Sequence, residues 1–418
     1  MNRTIVIFGR RFKHSYFLTF LFLLPYFFLR IAYGSNNAHI NLSLGWIQIL
    51  IGAYVFMCVW EKIESQVSLL FHFFIFSAIA IHFLLVISFV NISQTSFEKL
   101  FFVFIPVYVY AFFSLLAANY FILVSPKIVE QVFLKLSLVS ITISIFTFIF
   151  YSVTGASILL NHYGGTSWVR AHAFMTEPSG MAAPIAYIIA FGIVNSNYRI
   201  LLAGLVGLLL SQSAVVVLIS IFLLVLSLYM RTRQKLYFLI PCALSLVIIP
   251  TFFITYDCMT MDYTSDVIYK SICAIKVLWD FDNQFLINLN PRLATTLMAL
   301  EFMSVSDGWF TGFGLNSSAI FMPINYDDVE NSLLVSMMLY FGIWGILLYF
   351  SLAYLGYRRA RQYGSSFVLF YISLLLSVTL NSAGGFYGYI IFFFVVNILI
   401  IHKGEKYLNS RLIKNSLS

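Results

Sequence analysis

The chain has 418 residues, of which 61% are hydrophobic, 18% aromatic and 10% charged, and its formal net charge is +8. Soluble domains carry about 25% charged residues and are at most about half apolar, so this composition excludes a soluble globular protein. The basic residues fringe apolar runs instead of forming a stripe, which argues against nucleic-acid binding. The four cysteines show no CxxC spacing, so the sequence predicts neither a zinc site nor a redox dithiol.

Long apolar runs dominate the chain and indicate a polytopic helical membrane protein, because about 20 apolar residues make one membrane-spanning helix. Basic residues precede the first run, roughly 15–33, and no small-residue cleavage site follows it. We therefore expect a retained first helix with a cytoplasmic N-terminus. The next four runs lie near 44–60, 67–90, 100–124 and 132–154.

An apolar run of 31 residues, 200–230, is interrupted only at Ser211-Gln212-Ser213 and is followed by Arg231, Arg233 and Lys235. A single helix through this run would place the three cations outside the cytoplasm. A hairpin of two short helices turning at the serines returns them to the cytoplasm. The hairpin agrees with the positive-inside rule, and no single span needs such a length, so we predict the hairpin.

The remaining runs lie near 181–196, 237–255, 332–355, 366–381 and 386–402. All the runs together predict an all-α polytopic membrane protein with about 12 transmembrane helices and both termini in the cytoplasm. Of the 24 Lys and Arg residues, 18 then fall on the cytoplasmic side. Residues 1–418 form one transmembrane domain with two external segments, a loop at 155–180 and a large loop at 256–330 that contains short amphipathic helices.

Acidic residues are concentrated outside the predicted spans, since ten of the sixteen lie between Asp257 and Glu330. The spans are almost free of ionisable groups apart from His72 and His82, whose spacing does not place them on one helix face as metal ligands. A proton- or ion-coupled transporter usually carries a carboxylate in mid-membrane. The pattern therefore favours chemistry at the outer membrane surface.

The shorter external loop carries Arg170, His172 and Glu177 directly before a span. Pro178 suits the first helical position of that span, with Glu177 or Thr176 as its cap. A lone cation on the outer side needs an anion, either a lipid headgroup or a substrate phosphate. Glu177 is a helix cap, a partner for Arg170 or part of a substrate site, and His172 is a further candidate for that site.

In the large external loop, Asn290-Pro291-Arg292 has the pattern of a helix start, with the Asn as N-cap and the Pro at the first position. Arg292 then lies in the first turn, where the helix dipole attracts an anion, and its guanidinium suits phosphate oxygens. We expect this helix to end at Asp307-Gly308. Gly312 and Gly314 then allow a tight turn beside a bound ligand.

Asp328, Glu330 and Asn331 lie at the start of the tenth predicted span. Clustered carboxylates raise one another's pKa, so either acid could act as a general base; a solvated acidic loop is the alternative. Cys258 and Cys273 both lie in the same external loop, where a disulfide between them is allowed but not required.

The most specific feature is the order of these motifs on the predicted outer face. They are Arg170, Glu177-Pro178-Ser179, a short helical hairpin with a serine-rich turn, Arg292, Gly312-Phe313-Gly314 and Glu330-Asn331 before a span. In this order and topology, over about residues 150–355, the chain resembles the O-antigen polymerase/ligase superfamily, and specifically its Wzy-type polysaccharide polymerases. Residues 1–150 match that family only as apolar spans.

The resemblance implies a metal-independent glycosyltransferase of the bacterial inner membrane with a periplasmic active face. It would transfer the growing glycan from undecaprenyl diphosphate to the distal sugar of a new lipid-linked repeat unit. Arg170 and Arg292 would hold diphosphate oxygens. Glu330 or Asp328 would deprotonate or orient the acceptor hydroxyl, and membrane lipid and a chain-length regulator protein are the implied partners. The other substrate-binding candidates are His172, Glu177, Gly312, Gly314 and Asn331.

Two other functions fit parts of the sequence. An O-antigen ligase would transfer the finished glycan to lipid A–core, but that branch commonly has a His before the Asn where this chain has Glu330, which favours the polymerase. A lipid-linked oligosaccharide flippase belongs to a different class and would need cations lining a central membrane cavity, which the predicted spans lack.

Overall fold

The computed structural model describes residues 4–7, 10–27, 126–156, 160–162, 169–171, 173, 178–211, 213–231, 300, 303–305, 308–310, 312, 333–380, 392, 395–396 and 399. Within these residues the chain is mostly helical, as predicted, with two short β-hairpins in addition. The predicted spans near 44–60, 67–90, 100–124 and 237–255 lie outside the described residues. In chain order the elements are β1 (Thr4–Ile7), β2 (Arg10–Lys13), α1 (His14–Phe27), α2 (Pro126–Thr154), β3 (Leu160–His162), β4 (Val169–Ala171), a 3₁₀ turn (Pro178–Met181), α3 (Ala182–Val194), α4 (Tyr198–Ser211), α5 (Ala214–Arg231), α6 (Leu333–Phe341), α7 (Ile343–Ala360), a 3₁₀ turn (Arg361–Tyr363) and α8 (Ser365–Leu380).

The first hairpin precedes α1 and was not predicted. β1 and β2 pair antiparallel, with Thr4 opposite Lys13 and Ile7 opposite Arg10. The physical reason lies in the segment 4–7, where β-branched residues follow one another and favour a strand. The predicted first span begins directly after this hairpin, as α1.

Helix α2 is the one helix in the described part that is long and apolar enough to cross a membrane. Its 29 residues extend over about 43 Å, and it begins six residues before the span predicted at 132–154. Its buried residues recur every three or four positions, which is the period of one helix face. They include Glu130, Phe133, Ser137, Ser140, Ile141 and Ser144.

Helix α3 lies at the centre of the core. Its side chains are buried all round apart from Phe191 and Val194, which are half-buried. A helix that is apolar on every side is expected at the centre of a bundle. Its alanines and glycine allow α2, α4, α5 and α8 to pack closely around it.

Helices α3 and α4 run antiparallel. A Cβ added to Gly192 would lie 2.7 Å from the backbone of Leu201, and one added to Gly204 would lie 2.7 Å from the side chain of Ile189. Later residues of α4 thus meet earlier residues of α3. The backbones approach so closely at both positions that a larger side chain could not fit without a shift of one helix.

Helix α5 returns to the end of the bundle where α4 began. The Arg231 guanidinium, at the end of α5, donates a hydrogen bond to the carbonyl oxygen of Ile193 at the end of α3, at 3.1 Å. The chain therefore reverses direction between Ser211 and Ala214. This confirms the hairpin predicted at Ser211-Gln212-Ser213, and both of its helices pack mainly on α3 and only slightly on each other.

The tenth span, predicted as one helix at 332–355, is divided into α6 and α7 by Gly342. Gly342 has a φ of 61°, and a Cβ there would collide with the carbonyl of Trp309 and lie 2.9 Å from the nitrogen of Gly312. Only glycine fits such a position without strain. The prediction was wrong here because a glycine within an apolar run does not by itself indicate a break.

Helices α7 and α8 form an antiparallel pair joined by the turn at Arg361–Tyr363. The Tyr371 hydroxyl donates to the carbonyl oxygen of Ala353 at 3.0 Å, and Tyr349 and Thr379 share a hydrogen bond nearer the other end of the pair. The two helices therefore turn at the basic segment that was predicted to separate two spans.

Candidate functional site

The end of the bundle at which α2 finishes, at Thr154, is called the outer end below, following the predicted topology. Helices α3 and α4 stop well short of it. A Cβ added to Gly207 would lie 3.0 Å from Ile141 and 3.3 Å from Ile185, so these three residues are level with one another. Helix α3 starts, and α4 ends, about one turn beyond these residues, whereas α2 continues for 13 residues past Ile141. The starts of α3 and α5 and the end of α4 lie at the same end of the bundle, and this surface is called the floor.

Beyond the floor, α2 exposes large apolar side chains in place of a packed face. Phe146 is 68% exposed and Val153 is 80% exposed. Ile149 and Phe150 are exposed as well, so the four side chains form an apolar surface along this half of the helix. This half of α2 is suited to contact lipid chains.

The second hairpin covers the corner between α2 and the floor. Leu160 of β3 and Ala171 of β4 are buried against Tyr151 of α2 and Leu210 of α4. In the register of this hairpin, Arg170 lies opposite Asn161. The backbone of Arg170 is therefore placed next to the end of α4, although the sequence predicted only a loop in this region.

The segment that enters α3 does so through the 3₁₀ turn at Pro178–Met181. Pro178 is the first residue of this helical segment, as predicted, but its first four residues are 3₁₀ and the α-helix α3 begins at Ala182. The hydroxyl of Tyr26 donates to the carbonyl oxygen of Gly180 at 3.2 Å, which ties the turn to α1. The turn also contacts α4 and α5, so it belongs to the floor.

The floor favours an anion. α3 runs from the floor towards the inner end, so the positive end of its dipole lies at the floor. Its N-cap residue, Met181, makes no side-chain capping hydrogen bond. β4, which carries Arg170, and the 178–181 turn both contact α4. The backbone thus brings two segments with predicted site residues to the same end of one helix.

Gly312 lies in a different place, at the break between α6 and α7. The amide of Ile343 donates to the carbonyl oxygen of Trp309 at 2.7 Å, and the amide of Gly312 donates to Gly308 at 2.8 Å. Gly312 has a φ of 67°, as expected for the predicted tight turn. The helical residues 303–305 precede this turn, and Met303 is buried against α6.

Most of the predicted site side chains lie outside the described residues. For Arg170 and Gly312 the structure gives a backbone position, and no contact between the two is described. The predictions for the other site residues remain predictions. They are His172, Glu177, Arg292, Gly314, Asp328, Glu330 and Asn331.

Sequence reasoning missed one buried polar site, around Glu130. The predicted span began at residue 132 and so left out Glu130, yet this residue lies in α2 and is 8% exposed. The Tyr187 hydroxyl donates to its Oε1 at 2.7 Å, and the Ser366 hydroxyl donates to the same oxygen. The signal that could have found it is spacing, because Glu130 lies three and seven residues before Phe133 and Ser137 on the buried face.

Glu130 also corrects the prediction that the spans are almost free of ionisable groups apart from His72 and His82, because it adds a buried carboxylate to α2. In the described part, no group of three or more His, Cys, Asp or Glu residues is placed to hold a metal ion. No protein-family model matches the chain. No curated protein matches it either.

Proposed function

We propose that this chain is a polysaccharide polymerase of the Wzy type, with about twelve membrane spans and both termini in the cytoplasm of a bacterial cell. It extends O-antigen or a related surface polysaccharide at the periplasmic face of the inner membrane. The observation that carries the proposal is the order of the external motifs from Arg170 to Asn331. The floor supports it, because two of the motif-bearing segments meet there.

The reaction joins two lipid-linked substrates. The acceptor hydroxyl of a new repeat unit attacks the anomeric carbon of the growing glycan, and the bond from that carbon to the diphosphate oxygen breaks. The hydroxyl proton passes to a carboxylate, Glu330 or Asp328, and undecaprenyl diphosphate leaves with the bonding electrons. Arg170 and Arg292 offset the negative charge that develops on the leaving group.

The proposed substrates need an apolar surface for the polyprenyl chain and, close to it, a surface that favours an anion. Both surfaces lie at the outer end. A polyprenyl chain is apolar and its diphosphate is doubly charged. Exposed apolar side chains such as Phe146 and Val153 suit the polyprenyl chain, and the positive end of the α3 dipole suits the diphosphate. No step of this reaction requires a cofactor.

The glycolipid banding pattern of a deletion strain tests the proposal. Loss of the ladder, with a single repeat unit still attached to the core, identifies a polymerase. A bare core with long polymer retained on the lipid carrier identifies a ligase instead. Complementation with Arg292→Ala should fail to restore the ladder, whereas the unchanged chain should restore it.

A flippase is the second candidate, and Glu130 is the observation in its favour. A carboxylate buried among membrane helices is common in transporters and rare elsewhere. Its hydrogen bonds to two hydroxyls fit a structural role equally well. A deletion strain with a bare core and no exported sugar would identify a flippase and contradict the polymerase.

A further inference from the structure

Glu130 connects three helices through one carboxylate oxygen. Its Oε1 accepts hydrogen bonds from Tyr187 of α3 and from Ser366 of α8, while Glu130 itself belongs to α2. The surroundings are apolar, since the Tyr187 ring lies 6.0 Å from that of Phe133 and 5.4 Å from that of Phe370. Hydrogen bonds in such a medium are strong and directional, and leaving either partner unsatisfied is costly.

Helix α3 needs a directional contact of this kind because its own surface is nearly uniform. Alanine, isoleucine and glycine cover it on all sides, and such side chains pack similarly after a small rotation or slide. Polar contacts at its two ends reach only main-chain atoms, from Tyr26 to Gly180 and from Arg231 to Ile193. Among the described residues of α3, Tyr187 is the one whose side chain hydrogen-bonds another helix.

The position of α3 also sets the position of the floor. Tyr187 lies six residues after Met181, the last residue of the 178–181 turn, so it is about 9 Å from the turn along the helix axis. A shift of α3 by one residue would move the turn by about 1.5 Å and rotate it by about 100°. Misplacement of about 1 Å at a reacting site is enough to lower a rate by about a hundredfold.

We propose that Glu130 is a positioning residue, which fixes the rotation and height of α3 through Tyr187 and Ser366 and thereby holds the 178–181 turn in place at the outer end. It touches no substrate and acts as a hydrogen-bond acceptor. Its effect on catalysis rests on the proposed polymerase function, whereas its effect on α3 does not.

A disulfide between α3 and α4 reports the position of α3 without any measurement of activity. Ile185→Cys and Gly207→Cys form a suitable pair, because a Cβ at 207 would lie 3.3 Å from the Ile185 side chain. All four native cysteines are first replaced by alanine, and the rate of disulfide formation is measured in native membranes.

Glu130→Ala should slow this disulfide by about fivefold or more, because both hydroxyls lose their acceptor. Glu130→Gln should stay within about twofold of the parent, since the amide oxygen can accept the same two hydrogen bonds. Tyr187→Phe should give a slowing between these values. The matched control is Tyr371→Phe, which removes a buried tyrosine hydroxyl that bonds Ala353 of α7 and should leave the rate unchanged.

The outcomes separate this proposal from the proposed function. Disulfide formation at the parental rate in Glu130→Ala overturns the positioning role, even if the polymer ladder is lost. A Gln variant as slow as the Ala variant also overturns it, because the charge and not the acceptor would then matter. A normal ladder together with a slowed disulfide would support the positioning of α3 and contradict the part of the proposed function that depends on the floor.

The activity of the Gln variant gives a second measurement that does not depend on how the Ala variant folds. If Glu130 positions α3, the Gln variant keeps the parental KM and kcat in purified protein. The Tyr187→Phe variant should then lower kcat by about tenfold with little change in KM, because the turn is misplaced relative to substrate that still binds. A lowered kcat in the Gln variant would contradict the acceptor role.

Discussion

The two halves of α2 lie in different surroundings. The inner half buries Glu130, Phe133 and small serines against α3, α4 and α8, whereas the outer half exposes Phe146 and Val153. The inner half carries all three charged residues of the helix, Lys127, Glu130 and Lys135, and the outer half is the more apolar of the two, so hydrophobicity alone does not explain which half is buried. The difference shows that the packed part of α2 is its inner half, which therefore carries the stabilising contacts, whereas the proposed chemistry lies at the outer end.

The largest loss of stability is expected where a side chain is enlarged at a close contact between two packed helices. Gly204→Leu would force a side chain into Ile189, with a Cβ 2.7 Å from its Cγ1, and should destabilise the protein by about 3 kcal/mol or more. The midpoint temperature of thermal unfolding of the solubilised protein and the amount of protein in the membrane measure this loss of stability. Leu202→Ala, at an exposed position of the same helix, is the control.

Glu330→Gln tests the outer end. If this carboxylate accepts the acceptor proton, the variant should lose about a hundredfold or more of its turnover while it still binds substrate. Polymer formation by purified protein and its KM measure the two effects separately. Greater damage from His172→Ala than from Glu330→Gln would show that the base is wrongly assigned.

Replacing one phenylalanine with alanine in each half of α2 compares how much the two halves contribute to stability. Phe133→Ala should cost about 3 kcal/mol, because Phe133 is buried against Phe27, Tyr187 and Phe370 and would leave a cavity. Phe146→Ala should cost less than about 0.5 kcal/mol, since its ring is largely exposed. Equal losses of stability in the two variants would contradict the division of the helix.

Arg292→Lys should lower the polymerisation rate by about tenfold or more without a change in stability. A lysine keeps the charge but cannot make a bidentate contact with phosphate, and each charge-assisted hydrogen bond contributes about 1.5–3 kcal/mol. The modal length of the polymer and the initial rate measure this. A normal chain length with lysine would contradict the bidentate role.

Tyr371→Phe should have the smallest effect. It removes the hydroxyl that bonds Ala353 between α7 and α8, and buried hydrogen bonds between membrane helices contribute about 0.6 kcal/mol on average. The midpoint temperature of thermal unfolding should therefore fall by only a few degrees, and the polymerisation rate should not change. A loss comparable to that of Phe133→Ala would show that this pair of helices is held mainly by polar contacts.

The sequence predicted the helical class and the reversal at Ser211–Ala214, because both follow from long apolar runs and the placement of cations. It did not predict the break at Gly342, since what selects glycine there is the approach of Trp309, which is distant in sequence. Glu130 was misplaced for a related reason. A charged residue near the end of an apolar run suggests that the helix has ended, although three helices meet to satisfy it.

The candidate site was predictable only as an ordered set of segments. The sequence predicted that Arg170 and the segment before α3 are external, a prediction that remains untested, and the structure places both backbones against α4. The hairpin that carries Arg170 could not be predicted, because Leu160 and Ala171 form its buried side only in contact with Tyr151 and Leu210.

The shortness of α3 has an electrical consequence. Its 13 residues extend over about 20 Å, whereas the hydrocarbon layer is about 30 Å thick. In the proposed topology, a charge that reaches the floor from outside would cross about a third of the transmembrane field, which amounts to about 0.8 kcal/mol per unit charge for each 100 mV. For the proposed diphosphate substrate, a field with the inside negative acts outwards, so the proposal implies that the membrane voltage weakens its binding and speeds its release.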